Sequence, residues 1–269
     1  MLLRVRELSV HTGDTTLVSG VDLALDRGAT LGIVGESGSG KSLTCRSILG
    51  ILPPGLHNGD GTSVEFDGTE LRGLDERGWR GYRGTRIGAV FQDPASYLNP
   101  SITVGAQLAE VLRVRVGLGR RAARDRALEL LADMGLRDPG LVYRQYPFEL
   151  SGGMLQRVLI AVAISAEPDL LVADEATTAL DVTVQAEVLD LLADLRMRTG
   201  LALLLVSHDL AVVAQVCDEV IVMRDGAVVE RGRATDVLAA PSHPYTRSLV
   251  EAHTRYGIER FRLEEARRG

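Results

Sequence analysis

The stretch GESGSGKS, residues 35–42, limits the possible folds of this chain more than any other segment. It matches the pattern G-x-x-x-x-G-K-[ST], follows the apolar run TLGIV and precedes SLTCRSILGIL, whose apolar residues have helical spacing. A strand, a glycine-rich turn and a helix in this order bring backbone N–H groups and the positive end of a helix to one point. The segment therefore predicts a loop that binds the phosphates of a nucleotide.

Lys41 is the only lysine among the 30 lysine and arginine residues of the chain. A phosphate loop needs a compact point charge near the β- and γ-phosphates, whereas arginine carries a bulkier planar fork. The hydroxyl of Ser42 is predicted to bind Mg²⁺. We expect the nucleotide to be bound by Gly35, Glu36, Ser37, Gly38, Ser39, Gly40, Lys41, Ser42 and Leu43.

The rest of the sequence alternates between strand-like and helix-like segments, which predicts an α/β fold with a parallel sheet. Short apolar runs that end at glycine or polar residues suit strands buried on both faces, and they occur at 31–35, 87–92, 170–174 and 201–207. After Asp181 the apolar residues recur on one helix face. Residues 1–30 and 60–70 alternate like antiparallel strands, and residues 103–166 are mostly helical, which predicts an N-terminal β subdomain and a helical insertion.

The overall composition argues against several classes of function. The net charge of -6 is unfavourable for nucleic acid as the main partner. Cys45 and Cys217 are too few for a disulfide framework and are expected to be small buried apolar residues. No apolar run approaches the roughly 20 residues that span a bilayer, and the start of the chain resembles no secretion signal. We therefore expect a cytosolic protein, whose role at a membrane, if it has one, is that of a peripheral protein.

Two acids follow the apolar run LLVA at residues 170–173. In a phosphate-loop protein this strand end carries the aspartate that binds Mg²⁺, which predicts that role for Asp174. Glu175 is then predicted to lie beyond the strand end and to polarise the attacking water as a general base. The alternative is that both are ordinary acids of a surface turn.

A second glycine motif, LSGGMLQR at residues 150–157, opens another predicted helix. Ser151 can cap this helix, and Gly152 and Gly153 leave the backbone bare, so its N-terminus can bind an anion. The motif has no lysine and is distant in sequence from residues 35–42, which suggests that nucleotide is shared between two chains. An ordinary capped helix remains the alternative.

Six elements together resemble the ATP-binding cassette (ABC) family, in the family's order and over residues 1 to about 240. They are GESGSGKS, Gln92 in VFQDP, LSGGMLQR, LLVADE, TTALD at 177–181 and His208 in VSHD. The resemblance implies a RecA-like phosphate-loop ATPase domain over 1–240, with a helical insertion at about 93–166 and a short helical tail at 241–269. It implies ATP and Mg²⁺ as ligands.

In that family two cassettes close head to tail around two ATP molecules. Ser151, Gly152 and Gly153 of one chain would then meet the γ-phosphate held by Lys41 of the other chain. The resemblance also gives roles to three further residues. Gln92 would sense Mg²⁺ and the attacking water, Asp181 would lie at the dimer seam, and His208 would contact the γ-phosphate.

Three positions depart from the family pattern. The aromatic residue that usually stacks on adenine is missing from SVHTGDTT at residues 9–16, where His11 or Thr12 stands. Met154 replaces the usual glutamine of the LSGGQ motif, and Ala176 stands where proline usually follows the glutamate. The missing aromatic affects recognition of the base: stacking on adenine is then either weak or made by His11.

A finer resemblance concerns the importers of peptides and nickel. It rests on FQDPASYLNP at 91–100, YPFELSGGMLQR at 146–157 and PSHPYTRSL at 241–249. Similarity of 41–45, 49–55 and 246–259 to nickel-import subunits favours nickel or a metal chelate as cargo, with dipeptides or oligopeptides as the alternative. The class implies a second ATPase subunit, two permeases, a solute-binding protein and a place at the cytoplasmic face of the membrane. An exporter half and a non-transport soluble cassette ATPase are the other readings.

Overall fold

The structure is a computed structural model that describes residues 1–175 and 182–252, with backbone only for 182, 183, 211 and 212. Within these ranges the strands are β1 (Leu3–Thr12), β2 (Thr15–Leu25), β3 (Thr30–Val34), β4 (His57–Asn58), β5 (Ser63–Phe66), β6 (Thr69–Glu70), β7 (Ile87–Val90), β8 (Leu170–Asp174), β9 (Ala202–Ser207), β10 (Glu219–Arg224) and β11 (Ala227–Arg233).

The α-helices are α1 (Lys41–Ile48), α2 (Glu76–Trp79), α3 (Val104–Val111), α4 (Arg120–Asp133), α5 (Pro139–Arg144), α6 (Gly152–Ile164), α7 (Val182–Thr199), α8 (Leu210–Val216) and α9 (Ala234–Ala239). Short 3-10 turns occur at Pro94–Tyr97 and Pro147–Glu149, and a π-helical turn occurs at Leu112–Val116. Residues 244–252 are also helical. None of the helices in the described ranges combines the length and the apolar character that a bilayer crossing requires.

The described chain divides into two compact units, of which the first contains Met1–Arg72 and the residues from Leu205 onward. Its N-terminal sheet is antiparallel: β1 pairs with β2, β4 and β5, and β5 pairs with β6. The inward-facing residues of β1, among them Leu3, Val5 and Val10, are fully buried. This alternation is the period-2 pattern of a sheet with one face on a core.

The same unit holds strands β11, β10 and β3, which are neighbours in that order. β3 and β10 are parallel, with Leu31 opposite Glu219 and Val34 opposite Val222. Asp218 links the starts of the two strands, because its carboxylate accepts from the Thr30 N–H at 3.0 Å and its own N–H donates to the Thr30 hydroxyl at 2.8 Å. All five residues of β3 are buried, so the strand is a fixed base for the loop that follows it.

The second unit contains Gly73–Leu204 and combines strands with most of the helices. β7 and β8 are parallel, with Ile87 opposite Leu170 and Val90 opposite Ala173. Residues 103–166 lie wholly within the described part of the chain and contain helices and turns but no strand. Arg157 ties α6 to this unit, since its guanidinium donates to the Met134 carbonyl at 2.6 Å and to the Glu187 carboxylate at 2.7 Å.

The structure confirms the predicted fold class, an α/β core with an antiparallel N-terminal sheet and a helical region. The four predicted buried strands occur as β3, β7, β8 and β9. The helix expected after Asp181 is α7, in which Val188, Leu192 and Leu195 are buried. The hairpin of β10 and β11 was not predicted.

Candidate active site

The predicted phosphate loop lies between β3, which ends at Val34, and α1, which begins at Lys41. Gly38 and Gly40 have φ angles of 84° and 98°, in the left-handed region that side-chain-bearing residues rarely adopt. Gly40 is the N-cap of α1, and its carbonyl accepts from the Thr44 N–H at 2.9 Å. The backbone therefore turns sharply just before the helix, as the motif requires.

Gly35 is required by a close backbone contact. A Cβ atom at this position would lie 2.2 Å from the Met223 carbonyl oxygen and 2.6 Å from the Ser39 Oγ atom. Both distances are far below van der Waals contact, and the carbonyl belongs to the neighbouring strand β10. The start of the loop thus passes close to a sheet strand, which only glycine permits.

Lys41 is enclosed by the loop that precedes it. Its side chain is 3% exposed, and Nζ donates hydrogen bonds to the carbonyl oxygens of Gly35 and Glu36, each at 2.8 Å. The Ser39 Oγ atom lies 3.4 Å from the same ammonium. The positive charge is therefore held at a fixed point inside the loop by groups whose spacing suits a compact ammonium.

The β10–β11 hairpin supports the loop from the side. The Gly226 N–H donates to the Ser39 carbonyl at 3.2 Å, and the Gly226 carbonyl accepts from the Ser19 N–H at 2.9 Å. A Cβ atom at Gly226 would lie 2.3 Å from the Leu17 carbonyl oxygen. The sequence reading missed this support, although Asp225-Gly226 between two apolar runs is a recognised hairpin signal.

Tyr245 makes a second contact that the sequence reading missed. Its hydroxyl accepts a hydrogen bond from the Glu36 N–H at 3.0 Å, and its side chain is buried. The Arg224 guanidinium lies 4.9 Å from the centre of its ring. Burial raises the pKa of the Tyr245 phenol above its ordinary value, so the hydroxyl stays protonated at neutral pH.

The resemblance places His208 at the γ-phosphate, and His11 is one of two residues that stand where the family's adenine-stacking aromatic is missing. His208 follows β9 and is exposed. His11 lies in β1, where its Nδ1 atom is 3.1 Å from the Thr16 hydroxyl and its ring centre is 5.7 Å from that of His57. The His11 imidazole is therefore partly exposed, with one edge held by Thr16 and the His57 ring nearby.

The predicted acids of the second unit lie at the carboxyl end of β8. Asp174 is 3% exposed, and Glu175 has a φ angle of 49°, a strained conformation for a non-glycine residue. Because Val90 is opposite Ala173, Gln92 and Glu175 leave the same edge of the parallel pair. The structure thus brings Gln92, Asp174 and Glu175 to one sheet edge, where α/β proteins bind ligands.

The donor atoms at these positions suit Mg²⁺. The Asp174 carboxylate and the Gln92 amide oxygen, like the Ser42 hydroxyl of the other unit, are hard oxygen ligands. Asp174 comes last in a strand of five buried residues, so its position is fixed by the sheet. The ligand chemistry therefore fits the predicted ion.

The glycine motif at 151–153 begins α6 as predicted. Ser151 is the N-cap, and its Oγ atom accepts from the Met154 N–H at 3.3 Å. Ser151 and Gly152 are exposed. A Cβ atom at Gly153 would lie 2.5 Å from Val184 Cγ1, so this glycine is also required by the packing of α6 against α7. Asp181 and Ala176 lie outside the described residues.

Comparisons with known proteins show which proteins this chain resembles. A family model described as "ABC transporter" matches residues 18–178. The chain is 46% identical to the probable peptide ABC transporter ATP-binding protein y4tR of Sinorhizobium fredii, over 94% of this chain and 76% of that protein. It is 44% identical to the dipeptide transport ATP-binding protein DppD of Haemophilus influenzae, over 98% of this chain and 81% of that protein.

A solved structure is also similar along most of the chain. It is the dimeric, post-hydrolysis state of the ATP-binding cassette MJ0796 bound to ADP and Pi, with a TM-score of 0.76 and 28% sequence identity. The match covers 87% of this chain and 99% of that one.

Proposed function

The chain belongs to the ABC transporter family and is an ATPase, and from this premise we propose that it drives the import of short peptides. The observation that carries the ATPase part is the enclosed ammonium of Lys41, held 2.8 Å from two loop carbonyls at the start of a helix. The names of the relatives support the peptide part.

Two groups of residues make up the proposed hydrolytic machinery. In the first, the loop N–H groups and Lys41 bind the phosphates, and Ser42 gives its hydroxyl to Mg²⁺. In the second, Asp174 binds Mg²⁺, and Glu175 accepts the proton of the attacking water as general base. Gln92 orients that water, and Mg²⁺, when bound, neutralises charge on the phosphate oxygens.

Hydrolysis in this proposal needs two cassettes. Ser151, Gly152 and Gly153 present a helix N-terminus that can bind the γ-phosphate of a nucleotide held by a second chain. Asp181 and His208 complete the shared site, with Asp181 at the seam and His208 at the γ-phosphate. The dimeric form of the MJ0796 cassette supports this arrangement.

The cargo proposed here is a dipeptide or oligopeptide. Two relatives that match more than nine-tenths of this chain carry peptide or dipeptide transport names. They support peptides over nickel, which the local similarities of 41–45, 49–55 and 246–259 favoured. The proposed assembly contains a second ATPase subunit, two permeases that anchor the pair at the cytoplasmic face of the membrane, and a solute-binding protein.

Uptake by whole cells tests the proposal. Cells that lack the chromosomal gene would receive the native chain or the Lys41→Met variant, and uptake of a labelled dipeptide and of labelled nickel would be measured side by side. We expect the variant to lose most dipeptide uptake and to keep nickel uptake unchanged. An exposed variant such as Glu129→Gln is the control for expression.

The two readings give opposite results in this assay. Loss of nickel uptake with normal dipeptide uptake would replace the peptide proposal by the nickel reading. Normal uptake of both substrates by the Lys41→Met cells would refute an importer for either cargo.

A further inference from the structure

A segment near the end of the described chain is anchored by one carboxylate. Glu230 of β11 accepts hydrogen bonds from the N–H and the hydroxyl of Ser242, both at 2.7 Å, and from the His243 N–H at 3.0 Å. Partial burial opposes its charge, but the nearby Thr246 hydroxyl and the hydrogen bonds from Ser242 and His243 prevail and lower the pKa of Glu230 to about 2. The anchor is therefore fully charged at neutral pH.

Two residues after the anchored His243, Tyr245 reaches the phosphate loop within the first unit. Its side chain is 6% exposed, and its hydroxyl accepts from the Glu36 N–H at 3.0 Å. The backbone N–H of Tyr245 donates to the His243 imidazole at 3.2 Å, which links it back to the anchored residues. Arg224 lies against its ring at 4.9 Å. Tyr245 is thus held in place before it contacts the loop.

The loop residue that Tyr245 binds is held on its other side by Lys41. The Glu36 carbonyl accepts from the Lys41 ammonium at 2.8 Å, while the Glu36 N–H donates to Tyr245. The peptide groups on both sides of Glu36 are therefore fixed by side chains from two distant parts of the sequence. Lys41 and Tyr245 therefore bind the same residue, Glu36. A substitution at Tyr245 can alter the position of the proposed phosphate-binding ammonium through that residue alone.

We propose that Tyr245 is a positioning residue for nucleotide binding: the segment 242–246, anchored on Glu230, holds the phosphate loop in the conformation that binds ATP. This inference rests on the nucleotide site proposed at residues 35–42. Tyr245 touches the loop and has no part in the chemical step, so its contribution falls on the affinity for ATP and not on the rate of hydrolysis.

The Tyr245 contact and ATP binding affect each other in both directions. If the Tyr245 contact strengthens ATP binding by some factor, bound ATP must hold the segment against the loop more firmly by the same factor. The segment would therefore be less protected from hydrogen exchange in the nucleotide-free protein than in the ATP-bound protein. A cassette without nucleotide would present residues 242–246 in a looser state.

The variant Tyr245→Phe tests the proposal, because it removes the hydroxyl and keeps the ring against Arg224. One neutral hydrogen bond corresponds to a change in affinity of about 2- to 10-fold. We expect the dissociation constant and the KM for ATP to rise by that factor, with kcat within about twofold of the native value. Tyr143→Phe is the matched control, since the Tyr143 ring lies in the second unit, 5.9 Å from Arg124.

A second variant separates positioning from general stability. Glu230→Gln weakens the anchor without touching the loop, and we expect it to raise the KM for ATP in the same direction. A purely structural role would lower the melting temperature of both variants and leave the ATP dissociation constant unchanged, which would overturn the proposal. If Lys41→Met also bound ATP normally, the nucleotide site itself would be wrong, so the two failures are distinguishable.

Discussion

Replacing Lys41 by methionine removes one charge and keeps most of the side-chain volume. The native ammonium donates to two loop carbonyls at 2.8 Å and is almost completely buried. In the nucleotide-free protein this arrangement affects the free energy of unfolding in two opposing ways. Burial of the ammonium costs free energy, and its hydrogen bonds offset that cost. We therefore expect a small change in the free energy of unfolding, within about 1 kcal/mol.

ATP binding should respond far more strongly than stability. A hydrogen bond to a charged group contributes about 1.5–3 kcal/mol, and an ammonium between the β- and γ-phosphates makes two such bonds. Their loss corresponds to a free energy of at least about 3 kcal/mol, or a dissociation constant at least about 100-fold higher. Because Lys41 is the only lysine of the chain, no other lysine can replace it.

Equilibrium titration with a fluorescent ATP analogue measures this change directly, and chemical denaturation without nucleotide measures stability. Lys41→Arg is the matched variant, since it keeps the charge and replaces the compact ammonium by a planar fork. We expect Lys41→Arg to lose affinity nearly as much as Lys41→Met, because three oxygen atoms lie within 3.4 Å of the native Nζ atom.

The two variants test two separate parts of this reasoning. Affinity of Lys41→Met within about threefold of the native value would refute the phosphate-binding role, since the expected loss is tens of times larger. Native-like affinity of Lys41→Arg would leave the charge argument intact and refute the argument from shape.

Three further predictions concern other parts of the molecule. Glu175→Gln should lower kcat by roughly 10²–10⁴ while ATP still binds, and steady-state turnover within twofold of native would exclude a general base. Gly226→Ala should cost about 2–4 kcal/mol of unfolding free energy, because its Cβ would lie 2.3 Å from the Leu17 carbonyl at a φ of 80°. Gly55→Ala, with a φ of 85° and open space around it, is the control and should cost only about 1–2 kcal/mol. Since the pKa of Glu230 is about 2 in the folded protein and 4.5 for an ordinary glutamate, its contribution to stability is complete above pH 4.5 and is lost as the pH falls towards 2. The stability difference between native protein and Glu230→Gln should therefore shrink over that range, and a constant difference would contradict the assignment.

Local patterns were sufficient to predict the parts of the fold that consist of contiguous residues. The run before Gly35 is apolar at every position except its first residue and Gly32, and it forms a strand that is buried on both faces. The acids at 174 and 175 follow such a run, and Asp174 is buried at the end of β8. In both cases the buried strand and the functional residues that follow it are adjacent in the sequence, so a local pattern was enough to predict them.

Contacts between distant segments were not predictable in this way. Glu36 and Tyr245 are 209 residues apart, and nothing in the spacing of either segment indicates the other. The close approach of Gly35 to the Met223 carbonyl depends on the pairing of β3 with β10, and β10 itself was missed. Register between parallel strands is fixed by packing of whole faces and not by a local signal.

The single lysine at the start of α1 makes the chain a substrate with one site for a lysine-specific protease. Cleavage after Lys41 would yield two fragments, residues 1–41 and 42–269. A buried side chain at a helix start cannot enter a protease until the loop opens locally, so the rate of this one cut reports how often the loop opens. One band on a gel would then follow the motion of the phosphate loop, without any label or added residue.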